Sequence, residues 1–284
     1  MLQAYYRLTK PGIIYGNTLT AAAGFFLASA TYIDVGLLAA ALSGLALVVA
    51  SAGVFNNYMD RDIDSLMTRT KKRGLVSGVV SGKNALIYAS LLGVGGLLIL
   101  MTYTNVLTTL MAAVGLFTYV VLYGIAKRRS VYGTMVGSIA GSVPPVVGYL
   151  AVTNRFDGAT IWLFLILACW QMPHFYAIAI YRLDDYRAAK LPVWPLVKGL
   201  AATKKQIVFY IAAFMAAVSM LTVFGYTGYT FLTVMLIVGL AWLWLGGRGF
   251  AASNDWLWAR QLFRFSLLVI VAFSLTTSLS AWLP

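Results

Sequence analysis

An all-α membrane protein of nine spanning helices is the fold class this sequence predicts, and three observations carry that expectation. Of 284 residues, 61% are hydrophobic and 10% charged, with a mean hydropathy of +0.84, which is not the balance of a soluble domain. The apolar residues form continuous runs, as helices require in lipid, where each backbone amide must be satisfied within its own segment; barrel strands would alternate. The 21 basic residues, finally, gather in alternate loops.

In chain order, runs long enough to cross a bilayer, about 20 residues each, lie at 12–31, 37–58, 84–103, 106–126, 131–152, 159–181, 207–225, 229–246 and 264–282. Cytoplasmic loops retain Lys and Arg. With the N-terminus inside, one side collects Arg7 and Lys10, the cluster from Arg61 to Lys83, Lys127 to Arg129, the stretch from Arg182 to Lys205, and Arg248, Arg260 and Arg264. Only Arg155 falls on the other. Nine spans therefore predict a cytoplasmic N-terminus and a C-terminus outside. The net charge of +13 reads as a topology signal; its dispersal over short loops argues against a nucleic-acid partner. The first span ends in Ala28-Ser29-Ala30, like a signal-peptide cleavage site, but its apolar stretch is too long and its removal would invert the remaining topology. Cys169 is the one cysteine, which excludes an internal disulfide and a cysteine metal cluster. No polar segment is long enough for a second domain, so residues 1–284 are expected to form one integral-membrane domain.

NNYMDRDID, residues 56–64, holds three of the eight acids of a chain without glutamate. If the second helix continues past Phe55 at about 100° per residue, Asn56, Asp60 and Asp64 share an arc of about 80°, with Asn57 beside it. Asp62 points elsewhere, towards a loop cation or water. Stacked carboxylates repel unless a positive charge sits between them, and hard oxygen ligands suit Mg²⁺. Because Mg²⁺ keeps positions for water and phosphate oxygens, the implied substrate carries a phosphate or diphosphate. Arg69, Lys71, Lys72 and Arg73 follow within ten residues of Asp64, among Gly74, Gly78 and Gly82. Cations beside such a metal suit a polyanion; a plain topology signal is the alternative for each.

The second constellation closes the sixth span: LACWQMPHFYAIAIYRLDDYRAAKLPVWP, residues 167–195. Gln171, His174, Tyr181 and Asp185 fall in a wedge of about 80°, with Asp184 off it. Pro173 is expected to kink the helix near Cys169. Polar groups at membrane depth are costly and commonly line functional paths, although a histidine bonded to a neighbouring helix is an equally open reading of His174. Both wedges end on the cytoplasmic side and are expected to face one cavity. Asp60 and Asp64 would hold one metal and Asp185 a second or the same one, with Arg69, Arg73, Lys127 and Arg128 ringing the mouth.

These residues resemble a known family. NNYMDRDID matches the NxxxDxxxD signature of the UbiA superfamily of membrane prenyltransferases, and SLMTRTKKR is similar to its continuation. TKPGIIYGN at 9–17, KRRSVYGTMVGSIAGSVPPVVGY at 127–149 and WQMPHFYAIAIYRLDDYRAAKLPVWP at 170–195 resemble the heme-farnesylating branch of that superfamily. The likeness spans nearly the whole chain.

The resemblance implies a nine-helix bundle in the lipid bilayer of a bacterial inner membrane, with its site facing the cytoplasm. It implies Mg²⁺ as cofactor, farnesyl diphosphate as donor and a vinyl group of heme B as acceptor. By that likeness Asn56, Asp60 and Asp64 hold the metal and diphosphate, with Asn57, Arg69, Lys72, Arg73, Lys127 and Arg128 binding substrate. Where many members have a second DxxxD motif, this chain has Tyr181 and Asp185, one carboxylate fewer. Asp185 remains a metal ligand in this reading, Tyr181 and nearby aromatics shield an allylic cation, and Gln171 and His174 contact substrate, the histidine through the porphyrin or its iron. A terminal oxidase or another heme-handling membrane protein is a partner the resemblance admits. The alternatives are prenylation of an aromatic quinone precursor on the same fold, and a transporter, for which the acids would be expected nearer the bilayer midplane.

Overall fold

The computed structural model describes residues 1–30 and 32–284; residue 31, the end of the first predicted span, lies outside the described residues. Among the described residues there is no β-strand. A short helix α1 (Leu2–Leu8) precedes α2 (Pro11–Ser29), and the long α3 (Val35–Met59) gives way after one residue to α4 (Arg61–Leu66). Next, α5 (Gly82–Tyr103) leads to one rod made of α6 (Val106–Phe117), a π-helical stretch at Thr118–Tyr123, and α7 (Gly124–Arg129). After α8 (Gly133–Thr153) and α9 (Gly158–Tyr181) come the short α10 (Leu183–Ala188) and α11 (Trp194–Val197), then α12 (Leu200–Val223), α13 (Tyr229–Gly247) and α14 (Asp255–Leu279).

Among the described residues, eight helices are long and apolar enough to cross a membrane: α3, α5, the α6–α7 rod, α8, α9, α12, α13 and α14. The predicted first span, α2, is 19 residues long but is not among them. Asn17, Thr18 and Thr20 dilute its apolar character, yet it packs inside the bundle against α8, α14 and α3. Pro173 lies inside α9, which is one continuous helix from Gly158 to Tyr181.

Two predicted starts come too late. The seventh and ninth apolar runs open at 207 and 264, whereas α12 and α14 open at Leu200 and Asp255. An apolar run ends where charge begins, but a helix does not. Lys204 on α12 is buried, with its Nζ 2.5 Å from Asp255 Oδ1 on α14 and 5.5 Å from the ring centre of Trp258.

Among the described residues, side-chain caps set the starts of five helices, α3, α5, α6, α9 and α14, each satisfying an amide that the first turn leaves free. Asp34 accepts from Leu37 N at 2.9 Å, Asn105 from Thr108 N at 2.8 Å and Asn254 from Leu257 N at 3.0 Å. At α9, Asp157 accepts from Ala159 N at 3.0 Å while Thr160 Oγ1 accepts from Asp157 N at 3.2 Å. Asp34 and Asp157 are thus spent on helix geometry.

The innermost helices are α8 and α9. Glycine allows α2 to touch α8 backbone to backbone: a Cβ on Gly24 would stand 2.0 Å from Pro145 O, and one on Gly148 only 1.9 Å from Ala21 O. Close approach through small residues is how helices associate in lipid, where no hydrophobic force draws them together. On the other flank of α8, Gln171 lies over Gly141 and donates to Ser138 O at 3.1 Å and Ser142 Oγ at 3.2 Å. Gly24→Ala and Gly148→Ala are therefore expected to lower thermal stability in detergent by about 1–3 kcal/mol each through overpacking. Gly16→Ala, where a Cβ meets nothing within 4 Å, should be neutral or stabilising; equal losses at all three sites would refute the backbone contact.

Candidate active site

The polar site forms where α3 breaks. At Asp60 the backbone takes φ −92° and ψ 2°, so the helix expected to run on through Asp64 is interrupted by one residue. The ladder survives across the break: Asp60 N–H donates to Asn56 O at 2.9 Å and Asp64 N–H to Asp60 O at 2.7 Å. The motif residues consequently remain stacked and buried, with Asn56, Asn57, Asp60 and Asp64 only 3%, 2%, 7% and 4% exposed. The Asp62 side chain, which points elsewhere as expected, is 62% exposed.

Each buried carboxylate meets a cation from another element. Lys127, in the last turn of α7, donates to Asp60 Oδ2, and Arg128 Nη2 stands 3.7 Å from Asp60 Oδ1. Arg128 also forks onto Asp62 at 2.8 and 2.7 Å, and that fork holds the Asp62 carboxyl down to about 2. From the loop after α4, Arg73 Nη1 lies 2.5 Å from Asp64 Oδ2, while Thr70 Oγ1 donates to Asp64 O at 3.0 Å.

Lys10 joins them, a residue read from the sequence only as a topology signal. Its ammonium donates to Asn56 Oδ1. The following Pro11 disfavours the right-handed helical region at Lys10, which adopts φ 57° and ψ 64° instead, a conformation uncommon outside glycine. Burial, and then the neighbouring Arg73 and Lys127, pull the Lys10 ammonium down to about 7 against the opposing pull of Asp60 and Asp64. Two carboxylates thus face Lys10, Arg73 and Lys127, with Arg128 shared, and the site is short of negative charge. Tyr123 was also missed: in the π-helical stretch, its ring tilted by 32° against Tyr119 at 5.4 Å, it lies 5.2 Å beneath the Lys127 ammonium. The signal was an aromatic pair four residues apart just before Lys127.

Three buried polar atoms here have no hydrogen-bond partner among the described residues: Asn56 Nδ2, Asn57 Oδ1 and Asp60 Oδ1. Native interiors leave few such atoms. The free Asp60 carboxylate oxygen and Asn57 amide oxygen fit a hard cation, and the free Asn56 N–H fits a phosphate oxygen that such a cation carries. Beside them, Arg7, Arg69, Lys72, Arg73 and Asn57 help to line a recess of about 450 Å³ under α1, and no acid lines it.

The second helix end does reach the first, in another way than expected. Ile63 and Met67 pack with Tyr186, Ala189 and Leu191, so α10 lies across α4 and its loop. Asp185 Oδ1 accepts the Thr68 amide at 2.8 Å. Among the described residues no three His, Cys, Asp or Glu side chains converge on a metal-sized site; Asp185 is occupied in fastening the Thr68 loop rather than grouped with Asp60 and Asp64. Asp184 pairs with Arg187 at 2.5 Å in solvent. The Tyr181 ring lies against Phe263 of α14, centres 5.6 Å apart and tilted by 55°. The Gln171 amide is spent between α8 and α9, and His174 Nδ1 lies 2.7 Å from Ser266 Oγ on α14. Lys72 and Arg69 are exposed at the recess mouth.

Comparison with known proteins agrees with this architecture. The UbiA prenyltransferase family model matches residues 17–268. The chain is 50% identical over 279 residues to a protoheme IX farnesyltransferase of Yersinia pseudotuberculosis, covering 98% of this chain and 95% of that one. It is 52% identical over 278 residues to the protein of that name from Pseudomonas savastanoi pv. phaseolicola, covering 98% and 94%. Among solved structures, digeranylgeranylglyceryl phosphate synthase superposes with a TM-score of 0.81 at 16% identity over 99% of this chain and 98% of that one. A UbiA homologue from Archaeoglobus fulgidus bound to GPP and Mg²⁺ gives 0.72 at 16% identity over 96% and 99%. With the helical bundle, the NxxxDxxxD face and a family match over most of its length in agreement, the chain belongs to the UbiA prenyltransferase family.

Proposed function

We propose that this protein transfers a farnesyl group from farnesyl diphosphate to a vinyl group of heme B, releasing diphosphate, as one catalytic unit spanning the whole chain. The observation that carries the reaction is half-identity, over nearly the full length, with relatives named protoheme IX farnesyltransferase. Nine spans, α2 included, with the N-terminus and the site on the cytoplasmic side of a bacterial inner membrane, follow from the distribution of Lys and Arg.

Asn56, Asp60 and Asp64 are the residues that would hold Mg²⁺, whose chemistry is to neutralise the diphosphate oxygens. Asp185 acts from the adjoining helix α10, holding the Thr68 loop and with it the run to Arg73. Lys10, Arg73, Lys127 and Arg128 bind the diphosphate and stabilise the charge that builds as the C1–O bond breaks and its electron pair leaves with the diphosphate. Arg69 and Lys72 draw the polyanion to the mouth. Tyr123 and Tyr181 offer π-faces to the allylic cation. The vinyl π-bond attacks C1, and water captures the resulting cation and loses a proton, giving a hydroxyethylfarnesyl side chain. No side chain has to be deprotonated to act as nucleophile.

Purified protein supplied with heme B, farnesyl diphosphate and Mg²⁺ is expected to yield farnesylated heme by mass spectrometry; unmodified heme alongside a prenylated quinone precursor would overturn the reading. EDTA should stop turnover and added Mg²⁺ restore it, and chelator-insensitive catalysis would exclude a carboxylate-held metal. Asp60→Ala and Asp64→Ala should each cost at least about 100-fold in kcat, and Asp185→Ala should also lose transfer. Since Asp60→Ala strands the Lys127 ammonium, it should cost about 3 kcal/mol of stability as well. Adding Lys127→Ala should recover stability but not activity; recovery of both would reduce the pair to a structural role.

A further inference from the structure

His174 and Ser266 are 92 residues apart in sequence and face each other between α9 and α14. Ser266 is fully buried, and its Oγ makes two short contacts, 2.6 Å to Phe263 O and 2.7 Å to His174 Nδ1. A hydroxyl has one proton. The Phe263 carbonyl can only accept, so the Ser266 proton is committed to it and Nδ1–H of His174 must donate to Ser266 Oγ. That fixes the neutral tautomer with the lone pair on Nε2. His174 is half-buried, Nε2 has no hydrogen-bond partner among the described residues, and it is not among the enclosed unpartnered atoms.

The ring is held as well as its tautomer. Trp170 stacks on it at 4.8 Å and 25°, with its Nε1–H donating to the Ser266 carbonyl at 2.9 Å, and Phe263 flanks it at 5.0 Å. Tyr181 continues the same aromatic wall through Phe263 at 5.6 Å. His174 lies about 10 Å along α9 from Tyr181, so the wall leads from the polar end of the helix to the imidazole. A histidine whose second nitrogen donates to an oxygen is the usual form of a metal-ligating imidazole.

We propose that His174 Nε2 ligates the iron of the porphyrin substrate and that Ser266 is the positioning residue that sets its tautomer. The inference rests on heme B being the acceptor. It makes the iron, and not only the vinyl group, a recognised part of the substrate.

The test uses purified protein in nanodiscs without farnesyl diphosphate, titrated with ferric heme B and with metal-free protoporphyrin IX. Wild type should bind heme B at least about tenfold more tightly than the metal-free ring, with Soret and EPR signatures of imidazole-ligated iron. His174→Ala should abolish that preference, and added imidazole should restore the spectrum. Ser266→Ala leaves the bond from Trp170 to the residue 266 carbonyl in place. It should weaken heme binding by about tenfold and shift the ferrous iron–histidine stretch in resonance Raman spectra, with metal-free binding unchanged; Ser266→Thr, which keeps the hydroxyl, should behave as wild type. Equal affinity for the two porphyrins, or a wild-type spectrum in His174→Ala, overturns the proposal. The same wild-type preparation given farnesyl diphosphate and Mg²⁺ separates the two readings. Farnesylated heme with no iron preference removes only the ligation, whereas no farnesylated heme removes the proposed reaction while the titration still decides the ligation.

Discussion

Two carboxylates buried where a helix breaks are the constraint around which this protein is arranged. Taking an ion out of water costs several kcal/mol even after relaxation, and Asp60 and Asp64 are both nearly inaccessible. Each therefore needs a cation close by, and none of the cations comes from the same helix. Lys10 arrives from the turn before α2, Arg73 from the loop after α4, and Lys127 and Arg128 from the end of the α6–α7 rod. Electrostatic satisfaction of one helix end thereby fixes the approach of three other segments. The arrangement still carries more positive than negative charge, with an unbonded oxygen on Asp60, which suits a site completed by a metal and a polyanion.

The rest of the bundle supplies rigidity without a hydrophobic driving force between helices. Where α2 meets α8, glycines remove the side chains and main chains touch; where α8 meets α9, the Gln171 amide bridges Ser138 and Ser142. The few acids are distributed with the same economy. Asp34 and Asp157 cap helices, Asp62 holds Arg128, Asp255 pairs with Lys204, and Asp185 fastens the Thr68 loop. In so apolar a chain an unsatisfied charge is expensive enough that each acid has an assignable partner or a place in the site.

Catalytic demands are correspondingly light. The vinyl π-bond supplies the nucleophile in the proposed reaction, so the protein contributes charge stabilisation, aromatic surface and orientation. This division matches what is present: cations around the carboxylates at one end, and the aromatic wall of Tyr181, Phe263, His174 and Trp170 running from the other motif.

Composition, run length and helical spacing were enough to read the membrane class, the positions of the long helices to within several residues, and the shared face of Asn56, Asp60 and Asp64, because these depend on residues near one another in the chain. Even the outward turn of Asp62 followed from angle alone. Helix starts at charged residues were misplaced, since hydropathy marks the lipid and hydrogen bonds mark the helix. The use of Lys10, the diversion of Asp185 to the Thr68 amide, and the pairing of His174 with Ser266 belong to the tertiary structure. Each depends on which distant group is near enough to share a proton or a charge, and that distance is set only when the helices pack.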